Sequence, residues 1–229
     1  MADRTGLDIG LLGGTGAQGR GLASRFARAG HRVILGSRDP DRAATVAAEL
    51  TADLDARFAP VAGTVRGGAN AEVVDDKAAV VLCTPYDAQA ATLAPLAERL
   101  AGRVLICCVN PLAFDADGPH APEVPGGSAA QEVAALVPDA RVAAAFHHLP
   151  APLLLAGDPH EATVMVCGED DDAKRVAIEL AGTVATHGGV DVGGLRHARH
   201  LEALTAVLID INRRHDAHAG IHVTGLEPH

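Results

Sequence analysis

Aromatic residues are scarce in this chain: there is no tryptophan, one tyrosine and four phenylalanines among 229 residues. With 48% apolar residues and only 2% aromatic, any core must be built from alanine, valine, leucine and isoleucine. Positive charge is also short. The formal net charge is −10 and no basic block interrupts it, which excludes a non-specific nucleic-acid binder. The acidic excess reads as solubility, and an anionic ligand would have to be met by local arginines and backbone N–H groups. No apolar run is long enough to cross a bilayer, and the short polar stretch 1–8 does not read as a signal peptide. The four cysteines (Cys83, Cys107, Cys108 and Cys167) lack zinc-like spacing and sit in apolar runs. Buried thiols in a reducing, cytoplasmic setting are therefore expected. Adjacent Cys107 and Cys108 should face opposite sides of one strand.

What is present is an alternation of strands and helices. Residues 7–12 read as a strand, 16–29 as a helix stopped by Gly30, and 31–35 as a second strand. A helix starting at Asp39 or Asp41 runs to about residue 54, and 59–70 reads as strand plus loop. The runs 79–83 and 104–109 are continuously apolar, as in strands buried on both faces of a parallel sheet. Between them, 88–101 reads as one helix stopped by Gly102. Residues 113–127, rich in Pro, Gly and Asp, read as a mobile loop, and Ser128 could cap a helix over 129–136. Strands at 142–146, 163–167 and 190–192 follow, with helices at 170–181 and 195–214. The pattern predicts an α/β fold: a Rossmann-type, doubly wound parallel sheet over residues 1–150, with a small C-terminal α/β extension over 151–229.

Gly14-Thr15-Gly16-Ala17-Gln18-Gly19 matches G-x-G-x-x-G between a predicted strand and a predicted helix. Gly14 would make the tight turn, Gly16 would let the backbone approach a pyrophosphate, and Gly19 would let the helix sit on the strand. The helix N-terminus supplies N–H groups to the phosphates. NAD-binding folds place an acid after the second strand, on the ribose 2′-hydroxyl. Here that place holds Gly36-Ser37-Arg38, with Arg42 one turn further on. A hydroxyl and guanidinium groups suit the 2′-phosphate of NADP(H). Asp39 and Asp41 are near enough to pair with these arginines instead.

An obvious proton donor is missing. Tyr86 has no Tyr-x-x-x-Lys spacing, and the chain has only two lysines, Lys77 and Lys174. His147 and His148, at the end of a predicted central strand, are the best candidates. Either the acceptor is itself a hydride carrier, for which positioning suffices, or His147 is the general acid for a small carbonyl or imine. A strand-end histidine satisfied by backbone groups is the alternative for His147. A third possibility is a non-enzymatic NADPH-binding regulator. Twelve histidines include the pairs His197/His200 and His215/His218, but no thiolate or carboxylate cluster accompanies them, so no metal is expected.

The chain resembles the NADPH:F420 oxidoreductases. The motifs are Leu11-Leu12-Gly13-Gly14-Thr15-Gly16, Gly36-Ser37-Arg38, Phe146-His147-His148-Leu149-Pro150, and the C-terminal runs 195–199, 201–205, 211–214 and 217–221. The resemblance implies direct hydride transfer between NADP(H) and coenzyme F420, with F420 reduction by NADPH as the expected direction. It implies that Thr15, Ser37, Arg38 and Arg42 hold NADP, and that Cys83, Thr84, Pro85, Tyr86, Val109, Asn110 and Pro111 flank the nicotinamide. It implies further that His147, His148 and the backbone at Leu149 meet the deazaflavin, with Ala219 and Gly220 closing over it. The small polar residue that the best-known members carry after the first histidine is His148 here. A homo-oligomer, in the form of a dimer, is also implied.

Overall fold

The computed structural model describes residues 6–157 and 160–226; most of the polar stretch 1–8 lies outside them. The described elements begin with β1 (Asp8–Leu12), α1 (Ala17–Arg28), β2 (Arg32–Ser37), α2 (Pro40–Phe58), β3 (Thr64–Ala69) and β4 (Ala79–Leu82). A broken helical stretch contains α3 (Gln89–Leu93) and α4 (Ala97–Leu100), and β5 (Val104–Cys107) follows. Next come a small hairpin of β6 (Ala113–Phe114) and β7 (Pro119–His120), then α5 (Ala129–Leu136), β8 (Arg141–Ala144) and α6 (Ala151–Ala156). The chain ends with β9 (Val164–Gly168), α7 (Asp171–Ala181), β10 (Gly189–Asp191) and α8 (Ala198–His215).

Eight strands form one sheet in the order β10-β9-β8-β5-β4-β1-β2-β3. Every pairing is parallel except β8 with β9, so β9 and β10 run against the other six. From β1 the chain winds outward to β2 and β3, then returns to build β4, β5 and β8 on the other side. The reversal falls between β1 and β4, where ligands of open α/β sheets sit at the carboxyl ends of the strands. Alternate strand residues feed two cores. Leu11, Ile106 and Cys108 pack under α1, α2, α6 and α7, whereas Leu12, Leu105 and Cys107 pack under α3, α4, α5 and α8. Cys107 and Cys108 thus face opposite sides, as the strand period requires.

Local chemistry explains the ends of the elements. Asp39 caps α2, accepting from the N–H groups of Asp41 and Arg42 at 3.1 Å, with Pro40 at the first helical position. Ser128 caps α5 by accepting from Gln131 N. Gly30 and Gly102 take positive φ after their helices. The single helix expected over 88–101 is instead broken into short α and 3₁₀ turns. Pro95 sits inside it, and proline both lacks an N–H and collides with the preceding turn. The loop expected over 113–127 contains a hairpin. Asp115 accepts from the N–H groups of Asp117 and Gly118, and Gly118 takes φ +127° to turn the chain back.

Three arginines fix α6. Arg25 donates to the carbonyls of Leu153, Leu154 and Gly157 at 2.7–2.9 Å, Arg28 reaches Gly157, and Arg57 reaches Leu155 and Ala156. The carbonyls that the end of a short helix leaves unpaired are thus satisfied by cations, as the helix dipole favours. This clamp sets the wall of a cavity described below.

Candidate functional site

At the switch point the glycine turn leads from β1 into α1. Gly13, rather than Gly14, adopts the left-handed conformation, with φ +68°. Gly14 is instead packed too tightly for a side chain, since a Cβ there would lie 2.8 Å from the Leu11 carbonyl oxygen. A Cβ on Gly19 would meet the Gly14 backbone at 2.5 Å, so the helix rests directly on the turn. At Gly16 the nearest atom to such a Cβ is 3.8 Å away, which leaves open space over the N-terminus of α1. Gly16 caps that helix without a side chain, so no side chain competes for its first N–H groups.

Beyond β2 the backbone N–H of Asp39 donates to Ser37 Oγ at 3.1 Å, and the Asp39 carboxylate is turned inward onto the α2 cap. Neither Arg38 nor Arg42 makes an ion pair among the described residues, so the pairing with Asp39 or Asp41 that the sequence allowed is not formed. Ser37 and Arg38 open onto a cleft of about 770 Å³ whose further walls include Asn70, Pro85, Thr92 and Arg99. A Cβ on Gly36 would lie 2.7 Å from both Asn70 Oδ1 and Val73 Cγ2, so no side chain fits at that position. Asn70, Thr92 and Arg99 were not read from the sequence. They come from the end of β3 and from the broken helix, which no local motif marks.

A second cavity, of about 520 Å³, lies between the ends of β5 and β8, α6, α8 and the segment after α8. Its apolar walls include Leu149, Pro150, Pro152 and Leu208, and its polar lining includes Gln18, Asn110, His147 and Thr205. Phe146, fully buried, takes φ +69° just after β8. This is an uncommon conformation for a bulky residue. It is held by edge-on packing against Phe26 and by its carbonyl, which accepts from Gln18 Nε2 at 3.2 Å. Gln18 belongs to the first turn of α1, so the glycine turn and the second cavity share a wall.

His147 is the most constrained residue there. Its carbonyl accepts from Asn110 Nδ2 at 2.8 Å and from Thr205 Oγ1 at 3.0 Å. Asn110 has spent its amide donor on that carbonyl, so its Oδ1, 3.1 Å from His147 Nδ1, must be the acceptor. The ring therefore carries its proton on Nδ1 and offers a lone pair at Nε2, which is buried with no hydrogen-bond partner. Burial, reinforced by His148, lowers the His147 pKa to about 3 against the opposing pull of the Val109 carbonyl. The imidazole is neutral at physiological pH and accepts at Nε2 rather than donating. His148 is equally buried and lines the same cavity. Its Nε2 is 2.9 Å from the Thr163 carbonyl, and burial lowers its pKa as well.

Of the other expected residues, some line these places and Cys83, Tyr86 and Gly220 do not. Thr15 and Ala17 lie on the turn and at the start of α1. Thr84 packs its methyl against Gly13. Pro85 lines the arginine cleft. Cys83 touches Cys108 instead, with the sulfurs 3.5 Å apart. Tyr86 turns away and donates to Glu132 Oε2 at 3.0 Å. Val109 and Pro111 are buried around Asn110. Ala219 lines the second cavity, and its N–H donates to Asn212 Oδ1. Gly220 lies against His160, where a Cβ would come within 2.5 Å of Nε2. Thr205 and Asn212 stand in motifs that gave them no role; the partner of Thr205, His147, is distant in sequence, whereas Ala219 follows α8 by four residues and its contact with Asn212 is local. Among the described residues no group of three or more His, Cys, Asp or Glu side chains is placed to hold a metal.

Comparison with known proteins bears on both sites. Residues 8–111 match the family model of NADP oxidoreductases dependent on coenzyme F420. The F420-dependent NADP reductase of Methanothermobacter marburgensis is 36% identical over 228 residues, covering 96% of this chain and 99% of the relative. That of Methanocaldococcus jannaschii is 32% identical over 226 residues, covering 96% and 100%. A crystal structure from Arthrobacter sp. FB24, provisionally described as an F420-dependent NADP reductase, superposes with a TM-score of 0.75. It is 28% identical and covers 96% of this chain and 100% of its own.

Proposed function

This chain belongs to the family of F420-dependent NADP reductases, and on that premise we propose how its two sites divide the work. The enzyme transfers hydride between NADP(H) and coenzyme F420, an 8-hydroxy-5-deazaflavin. When both are bound, the chemistry they supply is direct passage of hydride between the nicotinamide and the deazaflavin ring. The residues then bind, orient and exclude water.

The arginine cleft takes NADP. The N–H groups at the start of α1 meet the pyrophosphate over Gly16, and Ser37, Arg38 and Arg42 meet the 2′-phosphate. Two unpaired guanidinium groups and an uncapped helix N-terminus support this assignment. The second cavity takes the deazaflavin. Its volume is in the range of small-ligand pockets, its walls suit a flat ring, and the orphaned His147 Nε2 needs a donor from whatever fills it. Residues 151–229 contribute α6, α8 and the Ala219 segment to that cavity. The reading rests chiefly on Gln18: a residue of the phosphate-binding turn also lines the second cavity, so ligands in the two sites can meet.

A reductase of small carbonyls that uses His147 as general acid is disfavoured, because a neutral ring whose one N–H is bound to Asn110 has no proton to give. We assign a homodimer as the working form. Val207 and Ile211 on α8, with Phe114 on the hairpin, form an exposed apolar surface that a second copy would cover. Among the described residues no helix is long and apolar enough to cross a membrane.

Mixing purified protein with F420 and NADPH tests the reaction. The expected result is bleaching of the deazaflavin visible band with matching formation of NADP⁺. No bleaching with NADPH, together with no formation of NADPH from reduced F420, would contradict the reading.

A further inference from the structure

β4 and β5 are parallel neighbours paired Val80 with Leu105, Val81 with Ile106 and Leu82 with Cys107. One residue further, just beyond both strands, Cys83 stands beside Cys108. The Cys108 N–H and Sγ both lie within hydrogen-bonding reach of the Leu82 carbonyl, at 3.2 and 3.0 Å, and the Cys108 and Cys83 sulfurs are 3.5 Å apart. Cα atoms on adjacent strands are about 4.8 Å apart. That spacing falls within the roughly 4.4–6.8 Å that a disulfide spans. The sulfurs already touch, so they can close while the Cys108 N–H keeps its bond to the Leu82 carbonyl. Cys107 and Cys167 lie on the other face of the sheet and are fully buried.

We propose that Cys83 and Cys108 form an oxidisable dithiol: a modification site for hydroperoxides that closes to a disulfide between the ends of β4 and β5. Cys83 is half-buried and meets the oxidant, whereas Cys108 is 6% exposed and resolves. The contact with Cys83 and burial keep the Cys108 thiol protonated well above the ordinary range, which leaves Cys83 as the attacking sulfur. In the first step the Cys83 thiolate attacks one peroxide oxygen. An S–O bond forms, the O–O bond breaks, and the departing hydroxide takes a proton to leave as water. In the second step the Cys108 sulfur attacks the sulfenic sulfur. The S–S bond forms, the S–O bond breaks, and the hydroxyl leaves as water with the Cys108 proton. Two thiols lose two electrons and one peroxide becomes two waters. Proximity offsets the reluctance of Cys108 to ionise. The bond would tie together the strand ends that lead directly to Thr84 and Asn110, so oxidation would act on the framework beneath both ligand sites.

The test treats the full chain with hydrogen peroxide and then counts thiols after denaturation. The four thiols present should fall to two, with the protein lighter by two hydrogens, a linked peptide pair containing Cys83 and Cys108, and full reversal by a phosphine reductant. In Cys108→Ala, Cys83 should stop at the sulfenic acid, heavier by one oxygen and trapped by dimedone. A linkage through Cys107 or Cys167, a two-hydrogen loss that survives in Cys108→Ala, or four unreacted thiols would overturn the proposal.

Discussion

Arg38 lines its cleft and Arg42, one turn into α2, is likewise exposed, whereas His147 is buried and tied by three hydrogen bonds to Asn110 and Thr205. Exposed guanidinium groups attract an anion and select it by charge, and they tolerate small displacements. A buried ring with one fixed N–H and one free lone pair does the opposite, since it fixes a single orientation and adds little attraction at a distance. On the proposed assignment, the two sites separate recognition from alignment. Substitutions in the first should act on binding, and those in the second on the rate of the bound complex.

The largest effect expected from this contrast is at Asn110. Asn110→Leu removes two of the three hydrogen bonds that hold His147, including the one to its ring, and leaves only Thr205 on the carbonyl. A misplacement of about 1 Å can cost about a hundredfold, so kcat for F420 reduction should fall by about that factor. The KM for NADPH should stay within about threefold. A rise in the KM for NADPH with kcat preserved would merge the two sites' roles.

Arg38→Ala comes next. Loss of a charge-assisted contact to the 2′-phosphate should raise the KM for NADPH roughly 10- to 100-fold and leave NADH within about twofold. Equal weakening of both nucleotides would mean that Arg38 does not read that phosphate.

A separate effect, nil at neutral pH and growing with acid, is on stability. His147 and His148 resist protonation in the folded chain, with His147 lowered to about 3, but take protons near the ordinary value once unfolded. Stability should be intact above about pH 6.5 and fall as the pH drops through the window from there toward 3. The slope should be about 1.4 kcal/mol per pH unit for each ring at most. Denaturant titrations across this range check it, and His148→Gln should flatten the slope. Glu202, whose carboxyl pKa burial raises to about 7, opposes this slope between about pH 7 and 4.5, so the contradicting result is a profile that His148→Gln leaves unchanged.

The contrast also decides what the sequence could reveal. The glycine turn is local: a strand, spaced glycines and a helix follow one another, and its left-handed residue is Gly13, next to the Gly14 expected to make the tight turn. Gly36-Ser37-Arg38 was readable for the same reason. The second cavity is assembled from α1, the end of β8, α6 and α8, so Thr205 and Gln18 meet their partners only after folding. No local motif marks Arg25, which is 3% exposed and fastens α6. The hairpin at 113–120 was opaque because strands of two residues have no period to detect.

The most direct test of the central claim, that hydride passes straight from one site to the other, uses NADPH carrying deuterium at the transferable nicotinamide position. Single turnover with F420 in ordinary water should leave the deuterium on the reduced deazaflavin, with none lost to solvent. Deuterium found in the water, with ordinary hydrogen at the reduced carbon, would contradict the account.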